Sequence, residues 1–152
     1  MPAATASISI EEIRTLRARD VMTPRPVTVA PATPLSEVQA LMETRGIVHF
    51  PVVEDERLVA LLDERELRDA MPSVVTVDDP EARRRFLKVT RVSQVATKSP
   101  PVAAPETPIL DLIARMRGHR AGALPIVDNG RLVGIVSAGD LITLLERLLR
   151  SA

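Results

Sequence analysis

The sequence predicts an α/β fold of the α+β kind, built from two tandem β-α-β-β-α units. The first observation behind this prediction is an internal repeat, because residues 95–141 align without a gap on residues 21–67. The second is a change of hydrophobic period within each copy, from extended segments to helical spacing. The third is the 45% hydrophobic content of the 152 residues, which is typical of a globular chain with a real core.

The repeat is clear in two pairs of segments. "VMTPRPVTVAPATPLSEVQALM" at 21–42 aligns with "VATKSPPVAAPETPILDLIARM" at 95–116, and "FPVVEDERLVALLDEREL" at 50–67 aligns with "LPIVDNGRLVGIVSAGDL" at 124–141. Two copies are too few for a solenoid, which needs at least three. The repeat therefore predicts a tandem pair of like folds.

Each copy is predicted to begin with a short extended segment followed by a helix. "PVTV" and "PPVAA" are entered through proline, which favours extended backbone. Thr33 and Thr107 are predicted N-caps, with Pro34 and Pro108 at the first helical position. The apolar residues that follow have helical spacing and are predicted to be buried; they are Leu35, Val38, Leu41, Met42, Ile109, Leu112, Ile113 and Met116.

A β-hairpin and a second helix complete each predicted copy. "HFPVV" and "RLVALL" are joined at "EDE", and "ALPIV" and "RLVGIV" are joined at "DNG". Between the copies, "DDPEARRRFLK" predicts a short helix capped by Asp79 with Pro80 at its first position. Residues 1–9 are predicted to be a loose tail, and "IEEIRTLRA" a short leading helix.

Composition excludes several classes of function. Twenty basic residues balance twenty acidic ones, and the only aromatic residues are Phe50 and Phe86, so neither a nucleic acid nor an anionic membrane is a predicted partner. The chain has no cysteine, its two histidines do not have metal-site spacing, and no catalytic triad or phosphate loop is present. The sequence has no signal-peptide segment and no apolar run long enough to span a membrane. We therefore expect a cytoplasmic protein that is not an enzyme and has no metal or cofactor.

These features resemble the CBS domain family, named after cystathionine β-synthase. The matching motifs are "DVMT" at 20–23, "FPVV", "LPIV" and "GRLVGIVSAGDL" at 130–141. The resemblance implies a Bateman module, in which two CBS domains pack about a pseudo-twofold axis. It also implies a regulatory role in signal transduction, homodimerisation, and clefts for AMP, ADP, ATP or S-adenosylmethionine. The predicted domains are a tail and short helix at 1–19, CBS domain 1 at 20–71, a linker with a short helix at 72–91, and CBS domain 2 at 92–152.

The two copies differ at the turn before their last helix. The second copy has Ser137 and Asp140, whereas the first has Asp63 and Glu66. In the family, the hydroxyl and backbone N–H groups of such a turn hold phosphate and the carboxylate accepts hydrogen bonds from ribose. A carboxylate at 63 would repel an anion, so we expect one good site for each chain. The alternative is that both pairs only cap a helix.

The resemblance assigns residues to two clefts. The predicted ligand-binding residues are Thr23, Thr28, Ile47, Val48, His49, Ser137, Gly139 and Asp140. The predicted residues of a second, degenerate cleft are Asp63, Glu66, Thr97, Val102, Gly122 and Ala123. His49 has two interpretations, a contact to phosphate or a half-buried strand histidine.

Three hypotheses for the function remain from the sequence. The first is a regulatory module that binds an adenosine-type ligand and controls an unidentified protein. The second is a ligand-free dimerisation or interaction module, and the third is a small enzyme. Excess apolar residues on the last helix predict a homodimer that uses helices such as 141–149 or 35–45.

Overall fold

A computed structural model describes residues 8–73 and 79–151. Within these residues, the elements follow one another as α1 (Ile10–Thr15), α2 (Ala18–Val21), β1 (Thr23–Pro24), α3 (Leu35–Arg45), β2 (His49–Glu54), β3 (Arg57–Asp63), α4 (Glu64–Ala70), α5 (Pro80–Val89), a 3₁₀ turn (Val92–Gln94), β4 (Thr97–Lys98), α6 (Ile109–His119), β5 (Ala123–Asp128), β6 (Arg131–Ser137) and α7 (Ala138–Ser151). Mixed helix and antiparallel sheet confirm the predicted fold class.

The chain forms two compact units that do not coincide with the two repeats. We call residues 27–100 the central unit, and the residues up to Pro26 together with those from Pro101 onward the C-terminal unit. Each unit combines the hairpin of one repeat with the short leading strand of the other. In the C-terminal unit β1 pairs with β6 of the β5–β6 hairpin, and in the central unit β4 pairs with β3 of the β2–β3 hairpin.

Each unit has its own aliphatic core. In the central unit, Phe50 is fully buried among aliphatic residues of α3, β2 and β3, including Leu35, Val38 and Leu62. In the C-terminal unit, Leu112 and Met116 of α6 pack with Leu124, Ile126 and Val136 of the hairpin. Burial of these helical and strand positions confirms the apolar spacing seen in the sequence.

The extended segments before α3 and α6 differ from the prediction. Instead of strands at "PVTV" and "PPVAA", each has one isolated bridge, from Val29 to Val52 and from Ala103 to Ile126. Val29 donates to the Pro51 carbonyl at 3.1 Å, and its own carbonyl accepts from Val53 at 2.9 Å. Neighbouring prolines have no N–H to continue a ladder, which limits the pairing to one residue.

The N-caps of α3 and α6 also differ from the prediction. Pro34 and Pro108 are themselves the N-cap residues, with extended ψ angles of 144° and 150°. Thr33 and Thr107 close the preceding turn instead, because each hydroxyl accepts the N–H three residues earlier, at 3.0 Å. Each helix begins one residue later than predicted, after the proline, so the threonine hydroxyl bonds to the preceding turn and not to the helix.

The other local predictions are confirmed in part, because α1 ends at Thr15 within "IEEIRTLRA", and Leu41, Met42 and Ile113 are half-buried. Asp79 caps α5 by accepting the Glu81 N–H at 2.9 Å, with Pro80 at the first position. The hairpin turns lie at Asp55–Glu56 and Asn129–Gly130, all four with positive φ. Residues 1–7 of the predicted tail and 74–78 of the predicted linker lie outside the described residues. No helix in the described part of the chain is long and apolar enough to cross a membrane.

Ser9 caps α1 through a reciprocal pair of hydrogen bonds with Glu12. The Ser9 backbone N–H donates to the Glu12 carboxylate at 2.7 Å, and the Glu12 N–H donates to the Ser9 hydroxyl at 3.2 Å. The bond from the Ser9 backbone lowers the pKa of Glu12, because it stabilises the ionised carboxylate. The leading helix therefore begins at Ile10, directly after the predicted tail of residues 1–9.

Two glycines give a matched pair of stability predictions. Gly46 ends α3 with φ +65°, and Gly118 lies inside α6, with open space around both Cα atoms. Gly46→Ala should destabilise the protein by about 1 kcal/mol, because an L side chain disfavours the left-handed region. Gly118→Ala should stabilise it by roughly 0.5–1 kcal/mol, since alanine is the better helix former. Urea denaturation followed by far-UV circular dichroism measures both, and equal signs for the two changes would contradict this explanation.

Candidate functional site

The turn at the end of β6 is a complete reciprocal cap, which we call the C-terminal turn (residues 137–140). The Ser137 backbone N–H donates to Asp140 Oδ2 at 2.8 Å, and the Asp140 N–H donates to Ser137 Oγ at 3.2 Å. Both residues are half-buried, and α7 begins between them. The sequence alternative of a capping pair is therefore an observed feature of this turn.

The turn at the end of β3, the central turn (residues 63–66), has the same backbone pattern. The Asp63 N–H donates to Glu66 Oε2 at 3.0 Å, and the Glu66 N–H donates to Asp63 Oδ1 at 2.8 Å. Capping alone thus does not distinguish the two turns. What separates them is the use of the remaining polar atoms.

The central turn uses its remaining polar atoms within the unit. The Thr97 hydroxyl on β4 donates to Glu66 Oε1, and Arg65 lies 3.9 Å from Asp63 Oδ2. Each of the four carboxylate oxygens of Asp63 and Glu66 therefore faces a partner within this unit. A ligand hydroxyl that approached this turn would compete with one of these partners.

The C-terminal turn keeps three polar groups available. Thr23 on β1 is the repeat counterpart of Thr97 and pairs with Ile135, two residues before Ser137. Among residues 8–73 and 79–151, the Thr23 hydroxyl and Asp140 Oδ1 have no hydrogen-bond partner, and the Ser137 hydroxyl accepts but does not donate. Asp140 is one methylene shorter than Glu66, which explains why the threonine–carboxylate bond of the central turn has no equivalent here.

Close packing against Met22 and Thr23 leaves no room for a side chain at position 134. A Cβ on Gly134 would clash with the Met22 sulfur and would lie 2.9 Å from Met22 Cγ and 3.0 Å from the Thr23 carbonyl oxygen. A Cβ on Gly139 would meet only Ser137 Oγ, at 3.5 Å. Gly134 therefore allows the β1 segment to lie close to β6, whereas Gly139 leaves the approach to the turn open.

The other predicted site residues divide between the units. In the C-terminal unit, Gly122 accepts the Ala138 N–H at 2.9 Å, Ala123 pairs with Ser137, and Val102 accepts from Arg115 at 2.9 Å. The structure thus brings Gly122 and Ala123 beside Ser137, although the sequence assigned them to the other cleft.

The rest of the predicted ligand-binding residues lie in the central unit. His49 is half-buried and pairs with Asp63, and the Val48 carbonyl accepts the Glu64 N–H at 3.0 Å. Ile47 packs on the central core, while Thr28 is exposed. Since each predicted cleft draws on residues of both units, the assignment of residues to the two clefts stays a prediction.

Sequence analysis missed the bond between Thr97 and Glu66, although it named both residues. The signal that could have found it is the alignment of Glu66 with Asp140, because the longer side chain reaches the neighbouring strand. It also missed the contact of Met22 with Gly134. That contact is detectable in the repeat, where Ala96 and Ala60 replace this pair.

Comparison with known proteins identifies the family. The family model described as the CBS domain matches residues 18–73 and 92–147, which is more than half of the chain. The chain therefore belongs to the CBS domain family.

Two relatives illustrate where such chains occur. The chain is 32% identical over 123 residues to the CBS domain-containing protein YhcV of Bacillus subtilis, covering 81% of each protein. It is 30% identical over 137 residues to the inosine-5'-monophosphate dehydrogenase of Thermoplasma acidophilum. That match covers 88% of this chain but spans only 25% of the dehydrogenase.

Solved structures have the same fold. The CBS domain of a membrane protein from Sphaerobacter thermophilus has a TM-score of 0.74 at 29% identity, with 88% of this chain and 90% of that one covered. CBSX2 in complex with AMP has a TM-score of 0.71 at 22% identity, with coverage of 87% and 97%. The CBS domain pair of MJ0100, in complex with 5'-methylthioadenosine and S-adenosyl-L-methionine, has a TM-score of 0.71 at 19% identity, with the same coverage.

Proposed function

We propose that this chain is a ligand-sensing regulatory module that binds an adenine nucleotide, or another adenosine derivative, at the C-terminal turn. The observation that carries this proposal is the contrast between the two turns. The central turn satisfies its carboxylates within its own unit, while the C-terminal turn leaves Asp140 Oδ1 and the hydroxyls of Thr23 and Ser137 available.

The available groups match the chemistry of a nucleotide. Asp140 Oδ1 accepts hydrogen bonds from the two ribose hydroxyls, and the Ser137 and Thr23 hydroxyls donate to phosphate oxygens. The first turn of α7 adds the positive end of the helix dipole, which favours an anion, although its Ala138 and Asp140 N–H groups are already bonded to Gly122 and Ser137. Ser137, Gly139, Asp140 and Thr23 are therefore the ligand contacts we propose for the C-terminal unit.

Ligands of proteins with this fold support the adenosine class. CBSX2 was crystallised with AMP, and MJ0100 with 5'-methylthioadenosine and S-adenosyl-L-methionine. These ligands share an adenosine with ribose hydroxyls, and they differ in the charge carried at the 5' position. The ribose contact to Asp140 is accordingly the part of the proposal that applies to all of them.

A thermal-shift screen tests this function. The panel is AMP, ADP, ATP and S-adenosylmethionine, with GMP as the control for base recognition. A ligand at 100 times its Kd should stabilise the folded state by about 2.7 kcal/mol, seen as a rise in Tm. The absence of a shift with every adenosine ligand would reject ligand sensing and leave the turns as helix caps.

The second candidate function, a ligand-free dimerisation module, is favoured by a different observation. Ile142, Leu145 and Leu149 of α7 are exposed at helical spacing, by 66%, 52% and 68%. We propose that this stripe is the contact of a homodimer, whether or not a ligand binds. Helix α3 is the weaker choice, because its Leu35 and Val38 are buried and its Leu41 and Met42 are half-buried.

Light scattering on a sizing column tests the dimer. The wild type should have the mass of a dimer at tens of micromolar, and Leu145→Glu with Leu149→Glu should have the mass of a monomer, because two buried charges would oppose association. A wild-type monomer at that concentration would contradict the proposal. The regulated protein and the cytoplasmic location stay predictions from the sequence.

A further inference from the structure

Helix α5 carries an unbalanced basic face. Arg84, Arg85 and Lys88 are exposed on the same side of the helix, and with Glu81 they line a shallow surface depression of about 360 Å³. The opposite side of the helix holds the half-buried Phe86 and the buried Leu87, which pack on the central core. The basic residues therefore face solvent around this shallow hollow.

The cations of this face lack the ion pairs that three arginines on other helices have. Arg14, Arg68 and Arg150 each pair with a glutamate three or four residues earlier, at 3.3, 3.3 and 2.7 Å. Within residues 8–73 and 79–151, Arg84, Arg85 and Lys88 have no ion pair or side-chain hydrogen bond. Arg84 and Lys88 are also one turn apart with like charge, which destabilises the helix unless an anion lies between them.

This helix is also outside the family's matched regions. The family model ends its first match at residue 73 and begins its second at residue 92, so α5 (Pro80–Val89) belongs to neither. The basic face belongs to the central unit, whereas the C-terminal turn belongs to the C-terminal unit. Its charge is thus not explained by the nucleotide contacts proposed above.

We propose that this face of α5 is a second anion site, which takes a small ligand with two or three linked phosphoryl groups. Arg84 and Lys88 are separated by about 6 Å along the helix axis, a spacing that linked phosphoryl groups span and a single carboxylate does not. The guanidinium groups of Arg84 and Arg85 bind phosphate oxygens in pairs, and Lys88 adds a third positive charge. Glu81 at the rim limits how much negative charge the hollow accepts.

The size of the hollow and the residues on it favour a small ligand over a nucleic acid. One helical face forms the hollow, with no aromatic side chain for base stacking among its lining residues. The chain has no net charge that would attract a long polyanion. A compact oligophosphate satisfies the three cations without requiring further basic surface.

Calorimetric titration with inorganic tripolyphosphate tests the proposal. The variant is Arg84→Gln with Arg85→Gln and Lys88→Gln, in which glutamine keeps helix propensity and removes charge. The control is Arg45→Gln with Arg117→Gln and Arg147→Gln, which removes three exposed cations from three other helices. We expect the α5 variant to weaken binding at least about 10-fold, as lost charge-assisted hydrogen bonds would, and the control to change it less than about twofold.

Two outcomes of this comparison would overturn the second site. One is a wild type that releases no heat with tripolyphosphate, and the other is an equal loss in both triple variants, which would indicate general charge attraction only.

A further variant separates this site from the nucleotide site. Ser137→Ala with Asp140→Asn should keep the part of the tripolyphosphate binding that the α5 variant loses. If that part persists while the wild type fails to bind AMP, the proposed function alone is rejected. Loss of tripolyphosphate binding in that variant would assign the phosphate to the C-terminal turn and overturn the α5 site.

Discussion

Gly134→Ala is expected to destabilise the protein by about 1–3 kcal/mol, the usual range for an overpacked site. The added Cβ would lie against the Met22 side chain, which is flexible, and 3.0 Å from the Thr23 carbonyl oxygen, which is backbone. Relief therefore requires β1 to move away from β6, where Thr23 pairs with Ile135 and Pro24 with Gly134. Urea denaturation followed by circular dichroism measures the change.

The other compact unit provides the compensating variant. Ala60 in β3 is the counterpart of Gly134, and Ala96 is the counterpart of Met22, so an alanine pair fits the same contact. Met22→Ala combined with Gly134→Ala should therefore be less destabilised than the sum of the single variants, a coupling that a double-mutant cycle measures. Gly139→Ala is the control, because its Cβ meets only Ser137 Oγ, at 3.5 Å. Equal losses in Gly134→Ala and Gly139→Ala would contradict the close approach of β1.

Asp140→Ala is expected to weaken AMP binding by roughly 10- to 150-fold. Hydrogen bonds to a charged group contribute about 1.5–3 kcal/mol, and 1.4 kcal/mol corresponds to a factor of ten in Kd. Since Asp140 also accepts the Ser137 N–H at 2.8 Å, part of the effect in this variant could come from the lost cap. Calorimetric titration gives the affinity, and circular dichroism on the same sample gives the helix content.

The central turn provides the converse variant. Asp63→Ser removes an anion from the turn that resembles the family pattern less, and we expect weak phosphate binding to appear there. The gain should be small, because Glu66 Oε1 remains bonded to Thr97 and is not available to ribose. If the central turn of Asp63→Ser bound AMP more tightly than the C-terminal turn does, the assignment of the better site to the C-terminal turn would be contradicted.

Much of the fold could be predicted because local signals and the repeat agree. The helical spacing of Leu112 and Met116, the turn at Asn129–Gly130 and the cap at Asp79 are each fixed by neighbouring residues. The caps at Thr33 and Thr107 were predicted wrongly because two local rules compete there. Threonine favours the N-cap and proline favours the first helical turn, and the extended ψ of Pro34 decides where the helix begins.

The exchange of short strands between the repeats could not be predicted from local signals. No local feature of Thr23 or Thr97 indicates that each pairs with the hairpin of the other repeat. The pairing of Thr23 with Ile135 is a contact across more than a hundred residues. The polar pairs themselves were visible in the sequence. Thr97 donates a hydrogen bond to Glu66, whereas Thr23 makes no such bond to Asp140. This difference depends on side-chain length together with strand register, and the register is known only from the folded chain.

The most direct test of the account is calorimetric titration of AMP into the wild type, Asp140→Asn and Glu66→Gln. In Asp140→Asn, the amide oxygen can still accept the Ser137 N–H, but the amide NH₂ then replaces Oδ1 and cannot accept from ribose. Glu66→Gln makes the same change at the matched position of the central turn. We predict that the wild type binds, that Asp140→Asn binds at least about 10-fold more weakly, and that Glu66→Gln binds within about twofold of the wild type. An unchanged affinity in Asp140→Asn, or a larger loss in Glu66→Gln, would contradict the assignment of the ligand to the C-terminal turn.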